Sequence, residues 1–236
     1  MIIRWADEDR QPKQDEKARA SQAPARKIRR TRSGRMQHTS RPELNGPAHV
    51  VIRLARGLPS LRTPRAYRLL ERCFRRCKEK DGFRLLEFSV QEDHLHFVVE
   101  ADSKKKLARG MQGLLISIAK SLNSFWHRKL GQVFSDRYFA LALEKFTQLR
   151  RTLLYVLNNG RKHGVWSKLD QPDPYSSGRW FRWWSRRDDI RRPLRSPPVA
   201  RPQSLQMAYV GSFDVGETPG SFGQFMEWLG VQPQLL

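Results

Sequence analysis

Two histidines, a tyrosine and an asparagine have the types and spacing of a reactive site in this 236-residue chain. His94-Leu95-His96 stands in a stretch that reads as a strand. Side chains two apart on a strand share a face, so both imidazoles project together and suit joint ligation of one divalent ion. An ordinary pair of histidines on a half-exposed sheet has the same spacing. Tyr155 and Asn159 lie four apart in a helical pattern, on one face and one turn from each other. The amide offers an oxygen ligand to a hard or borderline cation, and the phenol offers a nucleophile. Taken alone, that spacing fits a buried aromatic and an asparagine near a helix end at least as well.

The elements that must position these residues follow from periodicity. His49–Leu54 reads as a strand. Thr63-Pro64 supplies a cap followed by proline at the first helical position, and Ala66, Leu69, Leu70, Cys73, Phe74 and Cys77 recur at helical spacing, with Asp81-Gly82 ending the helix. Phe83–Val90 and His94–Glu100 read as a hairpin joined by three residues. Ser103 caps a long helix carrying Leu107, Met111, Leu114, Ile118 and Leu122, which Gly131 breaks. Residues 132–143 alternate like a strand around Val133, Tyr138 and Leu141. Thr147 opens a last helix that Gly164 is placed to end. The order β-α-β-β-α-β-α over about 47–166 predicts an α+β fold: an antiparallel sheet with helices on one face, in the ferredoxin-like, split βαβ style.

Composition narrows the partners. The chain carries 45 Lys+Arg against 23 Asp+Glu, a net charge of +22, for which nucleic acid is the natural counter-charge. No apolar run reaches membrane-span length, and the N-terminus has no apolar core of signal-peptide length, so export is not expected. Cys73 and Cys77, the only cysteines, share a helix face and read as reduced, semi-buried thiols. Residues 1–46 read as a disordered arm whose 25–35 stretch is strongly basic. Residues 47–170 carry 25 basic and 11 acidic residues and form the expected catalytic domain. Residues 171–201 are an Arg/Trp-rich extension that binds DNA or braces the domain. Residues 202–236 lack Lys and Arg and have no assigned role.

The strings HLH, QVFSDRYF, LLYVLNNGRKHG and DPYSSGRW, in this order, resemble the single-tyrosine HUH transposases, most closely the REP-associated tyrosine transposases. The likeness covers roughly residues 45–185. It implies that His94 and His96 bind Mg²⁺ or Mn²⁺, that Asn159 supplies a third ligand, and that Tyr155 is the nucleophile. It also implies cleavage of single-stranded DNA beside short hairpins, through a 5′-phosphotyrosine that a 3′-hydroxyl can reseal. A prokaryotic mobile element, or a host copy derived from one, is implied, and with it a cytoplasmic, nucleoid-associated location. Two positions depart from the family pattern: Gly160 stands where proline is common, and Asp93 precedes the first histidine.

Further residues are candidates for contact with DNA. Arg65, Arg68, Arg72, Arg75 and Arg76 repeat along the polar side of the first helix, and Lys104, Lys105, Lys106 and Arg109 open the second. A solvated helix face explains both sets equally well. Arg137 lies in the QVFSDRYF string. Arg151, one turn before Tyr155, is a candidate to favour its phenolate. Arg182 and Trp183, in an aromatic run interleaved with arginine, suit stacking on unpaired bases. Tyr138 is the main rival nucleophile; Tyr67, Tyr175 and Tyr209 fit less well. Two other readings stay open, a non-catalytic nucleic-acid-binding protein derived from a transposase and a metal-dependent nuclease with no covalent step. Monomer and homodimer are both compatible with the sequence.

Overall fold

Apolar side chains pointing to both faces of the central strands dictate a sheet covered on both sides. The computed structural model describes residues 44, 46–129, 131–168, 170–184 and 195–202, all within the unit Arg41–Leu236. The basic arm at 25–35, Arg186, Arg187, Tyr209 and the rest of the tail from 203 lie outside the described residues. The strands are β1 Gly46–Arg53, β2 Glu79–Lys80, β3 Phe83–Val90, β4 His94–Ala101 and β5 Phe139–Ala142. They pair antiparallel in the order β2-β3-β4-β1-β5. The helices are α1 Pro64–Cys77, α2 Lys104–Phe125, α3 Phe146–Leu157 and the short α4 Asn159–Lys162.

The expected α+β antiparallel sheet is present, and its faces divide the helices. Val50, Ile52, Phe88, Leu95, Phe97 and Val99 pack against Leu70 and Phe74 of α1 and Met111, Leu114 and Ile118 of α2. Leu86 and Val98 point the other way, into a second cluster with Leu149, Leu153 and Val156 of α3. α1 and α2 therefore share one face, while α3 covers the face that carries His94 and His96. Among the described residues, no helix is long and apolar enough to cross a membrane.

Several element ends differ from the sequence reading for local reasons. Thr63 does cap α1, its hydroxyl accepting from Ala66 N at 3.2 Å. That helix stops at Cys77, because Lys78 O turns to accept from Leu85 N; Asp81-Gly82 is instead the turn between β2 and β3, with Gly82 at φ 73°. α2 ends at Phe125 rather than at Gly131, since His127 takes the left-handed conformation, φ 54°, that closes a helix. The strand expected over 132–143 shrinks to β5, preceded by a single bridge from Phe134 to Leu54. α3 opens one residue before Thr147, with Lys145 N donating to the Gln148 side chain at 3.1 Å. It also ends at Leu157, not Gly164; Gly164 follows α4.

Beyond its two residues of pairing with β2, β3 would present an open edge. The DPYSSGRW segment closes it. Val90 N donates to Tyr175 O, Ser89 bridges Ser176, and Phe88 N donates to Ser177 Oγ. Phe181 and Trp184 are buried in the α3-side cluster, and Trp184 Nε1 donates to Gly178 O at 2.7 Å.

Glu87 sits at a bulge in β3, buried, with its carboxyl beside Ser177 Oγ. Burial, only partly countered by that hydrogen bond, pushes it from the ordinary 4.5 to about 8. The folded chain then holds a proton that the unfolded chain has lost, so this group's contribution to stability falls as pH rises from about 4.5 to about 8. Melting temperatures of Glu87→Gln and the parent chain should diverge in the variant's favour over that range; parallel curves would contradict a neutral Glu87. At Gly110 of α2 an added Cβ would lie 2.1 Å from the Phe83 ring. Gly110→Ala should cost about 1–3 kcal/mol in denaturant unfolding, and an unchanged midpoint would count against this packing.

Candidate active site

His94 and His96 sit on β4 with ring centroids 4.8 Å apart. Each ring is held through Nδ1. His94 Nδ1 is 2.6 Å from Asp93 Oδ1, and His96 Nδ1 is 3.2 Å from Nε2 of His49, which stacks on it from β1. With the protons on Nδ1, both histidines present an Nε2 lone pair, and a carboxylate or second imidazole behind each fixes tautomer and orientation. His96 Nε2 is buried and has no hydrogen-bond partner. Burial, then the charges of His94 and His49, holds His96 well below the usual imidazole range. Burial also lowers His94, against the opposing pull of Asp93. Both rings are thus neutral near pH 7, the form a metal requires. Asp93, the departure from the family pattern, is the partner that orients His94. Burial raises its carboxyl, but the hydrogen bond and charge of His94, with Arg53, bring it below its ordinary value.

The helix carrying Tyr155 breaks at Asn158, yet Tyr155 still faces the histidines' side of the sheet, and just beyond Asn159 the His163 ring comes to 5.5 Å from that of His94. The Tyr155 ring lies 5.5 Å from the His96 ring and 6.2 Å from His49. Asn159 is fully buried, and among the described residues neither its side-chain oxygen nor its nitrogen has a hydrogen-bond partner. A buried amide left in that state costs free energy that a ligand would return. Among the described residues no three His, Cys, Asp or Glu converge on one point; the donor set is two imidazole nitrogens and an amide oxygen. The buried atoms without a partner among the described residues, His96 Nε2 and Asn159 Oδ1, are of the types that a divalent cation tolerating mixed nitrogen and oxygen ligands would take.

Lys162 Nζ donates to the Tyr155 hydroxyl at 3.2 Å and sits 4.8 Å from the ring centroid. Burial raises the Tyr155 phenol above its ordinary range, partly offset by the Arg53 charge, and lowers Lys162 to about 8. Arg151, the cation expected from the sequence, is exposed on α3. The signal for Lys162 was available: positions 155, 159 and 162 lie on one helical stripe. His49 had no such signal, because its place behind His96 depends on the pairing of β1 with β4. Tyr138 packs in the cluster on the opposite face and is removed as a rival.

The cationic candidates are distributed over several surfaces. Arg65, Arg68, Arg72 and Arg76 are exposed on α1, and Lys105 and Arg109 on α2, helices that lie across the sheet from the histidines. Arg72, Arg75, Arg76 and Lys120 line a groove of about 830 Å³ between these helices. Lys106 is engaged by Asp81, and Lys104 is half-buried beside it. Arg137 and Arg182 are exposed, and Trp183 is half-buried against Phe181. None of these joins Tyr155 and the histidines.

Residues 45–159 match the family model described as "Transposase IS200 like". Among solved structures the chain resembles a REP-associated tyrosine transposase bound to a REP hairpin. The TM-score is 0.50 and the identity 19%, over 79% of this chain and 100% of that one. This is a likeness of fold. A chain from Deinococcus radiodurans R1 aligns over 56% of this chain and 100% of its own, at 15% identity and a TM-score of 0.37. No curated protein matches the sequence. The matched segment holds the whole antiparallel sheet from β1 to β5, the His94/His96 pair and the helix end bearing Tyr155 and Asn159, and over it the chain is similar to the IS200-like transposases.

Proposed function

We propose that this chain cleaves and rejoins single-stranded DNA beside a hairpin, through a 5′-phosphotyrosine on Tyr155. The observation that carries the reading is the nearness of Tyr155 to two neutral, oriented imidazoles, with the buried amide of Asn159, unpartnered among the described residues, one turn on. His94 Nε2, His96 Nε2 and Asn159 Oδ1 would hold Mg²⁺ or Mn²⁺, which when bound would polarise a non-bridging oxygen of the scissile phosphate. Tyr155 Oη attacks phosphorus, the P–O3′ bond breaks, and the 3′-oxygen leaves as a hydroxyl after taking a proton from solvent. The phenol proton passes to the neutral amine form of Lys162, about a tenth of the population at pH 7 because burial lowers this lysine to about 8. In the reverse step a 3′-hydroxyl attacks phosphorus and loses its proton to solvent, the bond from phosphorus to Tyr155 Oη breaks, and Lys162 returns its proton to the phenolate. No ATP is needed, since the bond energy is kept in the tyrosyl ester.

The hairpin-bound structural relative supports a hairpin-bearing substrate. The cations of α1 and α2 are placed to hold phosphates away from the catalytic face, and Arg182 with Trp183 to meet unpaired bases. The proposed place of action is the prokaryotic nucleoid.

A labelled single strand ending in a hairpin, incubated with the protein and Mn²⁺, should yield a product that migrates with the protein on a denaturing gel. Tyr155→Phe should abolish it. Cleavage undiminished in that variant would favour a nuclease with no covalent step, and binding without cleavage under any divalent ion would favour a non-catalytic protein. Lys162→Met should slow adduct formation by about two orders of magnitude while DNA affinity stays near that of the parent. Equal rates would remove Lys162 from the proton path.

A further inference from the structure

One ion pair lies inside the described structure without a role in the chemistry above. Arg62, in the loop between β1 and α1, meets Asp173 in the DPYSSGRW segment. Nη1 donates to Asp173 Oδ2 at 2.8 Å and Nη2 to Asp173 Oδ1 at 3.0 Å. Both side chains are buried, with 6% and 1% of their surface exposed. A buried pair of this kind is weak grounds for stability, because the cost of desolvating two charges offsets their attraction. What the pair touches is more specific. Arg62 Nη1 also donates to Val90 O at 2.8 Å, at the end of β3 directly opposite Leu95, the residue between the two histidines. The guanidinium lies 4.5 Å from the Tyr175 ring centroid. On the far side, the Asp173 carboxylate rests against the backbone of Gly160: a Cβ there would lie 2.1 Å from Oδ2 and 2.8 Å from Cγ. Gly160 follows Asn159 directly.

We infer that Arg62 and Asp173 are positioning residues that set the distance between the histidine strand and the side chain of Asn159. The inference rests on the reading of Asn159 as a metal ligand. The links run from β4 to Val90 of β3, then through Arg62 and Asp173 to Gly160 and Asn159, each a hydrogen bond, a van der Waals contact or a peptide bond. The Asn159 turn is also held from its other end. There Arg161 donates to Gln171 O and to the Asn158 side chain, and Trp166 Nε1 donates to Gln171 O. A ligand set needs its donors held to within about half an ångström, which a bidentate pair wedged between the two elements provides. The glycine at 160 also finds its reason here. The carboxylate occupies the space of any side chain, so the proline common in the family at this point would collide with Asp173.

The test measures Mn²⁺ binding by the full chain without DNA, by electron paramagnetic resonance of the free ion, and then cleavage as a function of Mn²⁺ concentration. Arg62→Lys keeps the charge and loses the bidentate fork; Asp173→Asn keeps the shape and loses the charge; both are milder than truncation and are checked for folding by thermal melts. Each should weaken Mn²⁺ binding about tenfold or more. Each should also cleave slowly at low Mn²⁺ and recover towards the parent rate at high Mn²⁺. Parent-like Mn²⁺ affinity in both variants, while Asn159→Ala weakens it, would overturn the inference and leave the proposed function intact. A cleavage loss that excess Mn²⁺ does not restore, with affinity unchanged, would show a merely structural pair and overturn it too. A parent chain whose Mn²⁺ binding ignores Asn159→Ala would refute the reading of Asn159 and the inference together.

Discussion

Polar atoms buried with nothing to bond are the constraint that organises this molecule. His96 Nε2 and both side-chain heteroatoms of Asn159 are buried and have no hydrogen-bond partner among the described residues. Each such group costs free energy that the apolar clusters on either side must carry. The sheet bears that cost because its opposite face is wholly apolar, packed on α1 and α2. The catalytic face is closed by α3 through Leu86, Val98, Leu149 and Leu153. Stability and chemistry are thus assigned to different faces of the same strands, and the two-residue period of a strand makes the assignment possible.

Much of this was legible in the sequence. The alternation around His94-Leu95-His96 implied that the histidines and their apolar neighbours face opposite ways, and that is the geometry observed. Thr63-Pro64 and Ser103 marked their helix starts through side-chain caps. The sites where reading failed share a cause: long-range pairing overrides local signals. Gly131 and Gly164 were plausible helix ends, but His127 and Asn158 end the helices earlier. His49 was a bare strand residue until β1 lay beside β4. Asp173 and Gly160 are thirteen residues apart, and no periodicity reveals that one carboxylate fills the space above the other. Lys162 was visible as the third member of a helical stripe with Tyr155 and Asn159, a pattern overshadowed by the nearer Arg151.

The charge of the chain also takes on a different meaning. The basic residues of 47–170 do not all surround the reactive groups: the arginines of α1 and the exposed cations of α2 lie across the sheet from them. Tyr155 is approached by Lys162 and feels the Arg53 charge. A long polyanion can be gripped on one face while a single phosphate is presented on the other. Under the proposed function, affinity and cleavage would respond to different residues.

The central claim is that His94, His96 and Asn159 share one cation. Anomalous diffraction from crystals grown with Mn²⁺ tests it most directly. The account predicts one strong peak within coordination distance, about 2.0–2.3 Å, of both Nε2 atoms and Asn159 Oδ1. A fully occupied Mn²⁺ bound elsewhere, or no peak beside the two histidines at saturating Mn²⁺, would contradict it.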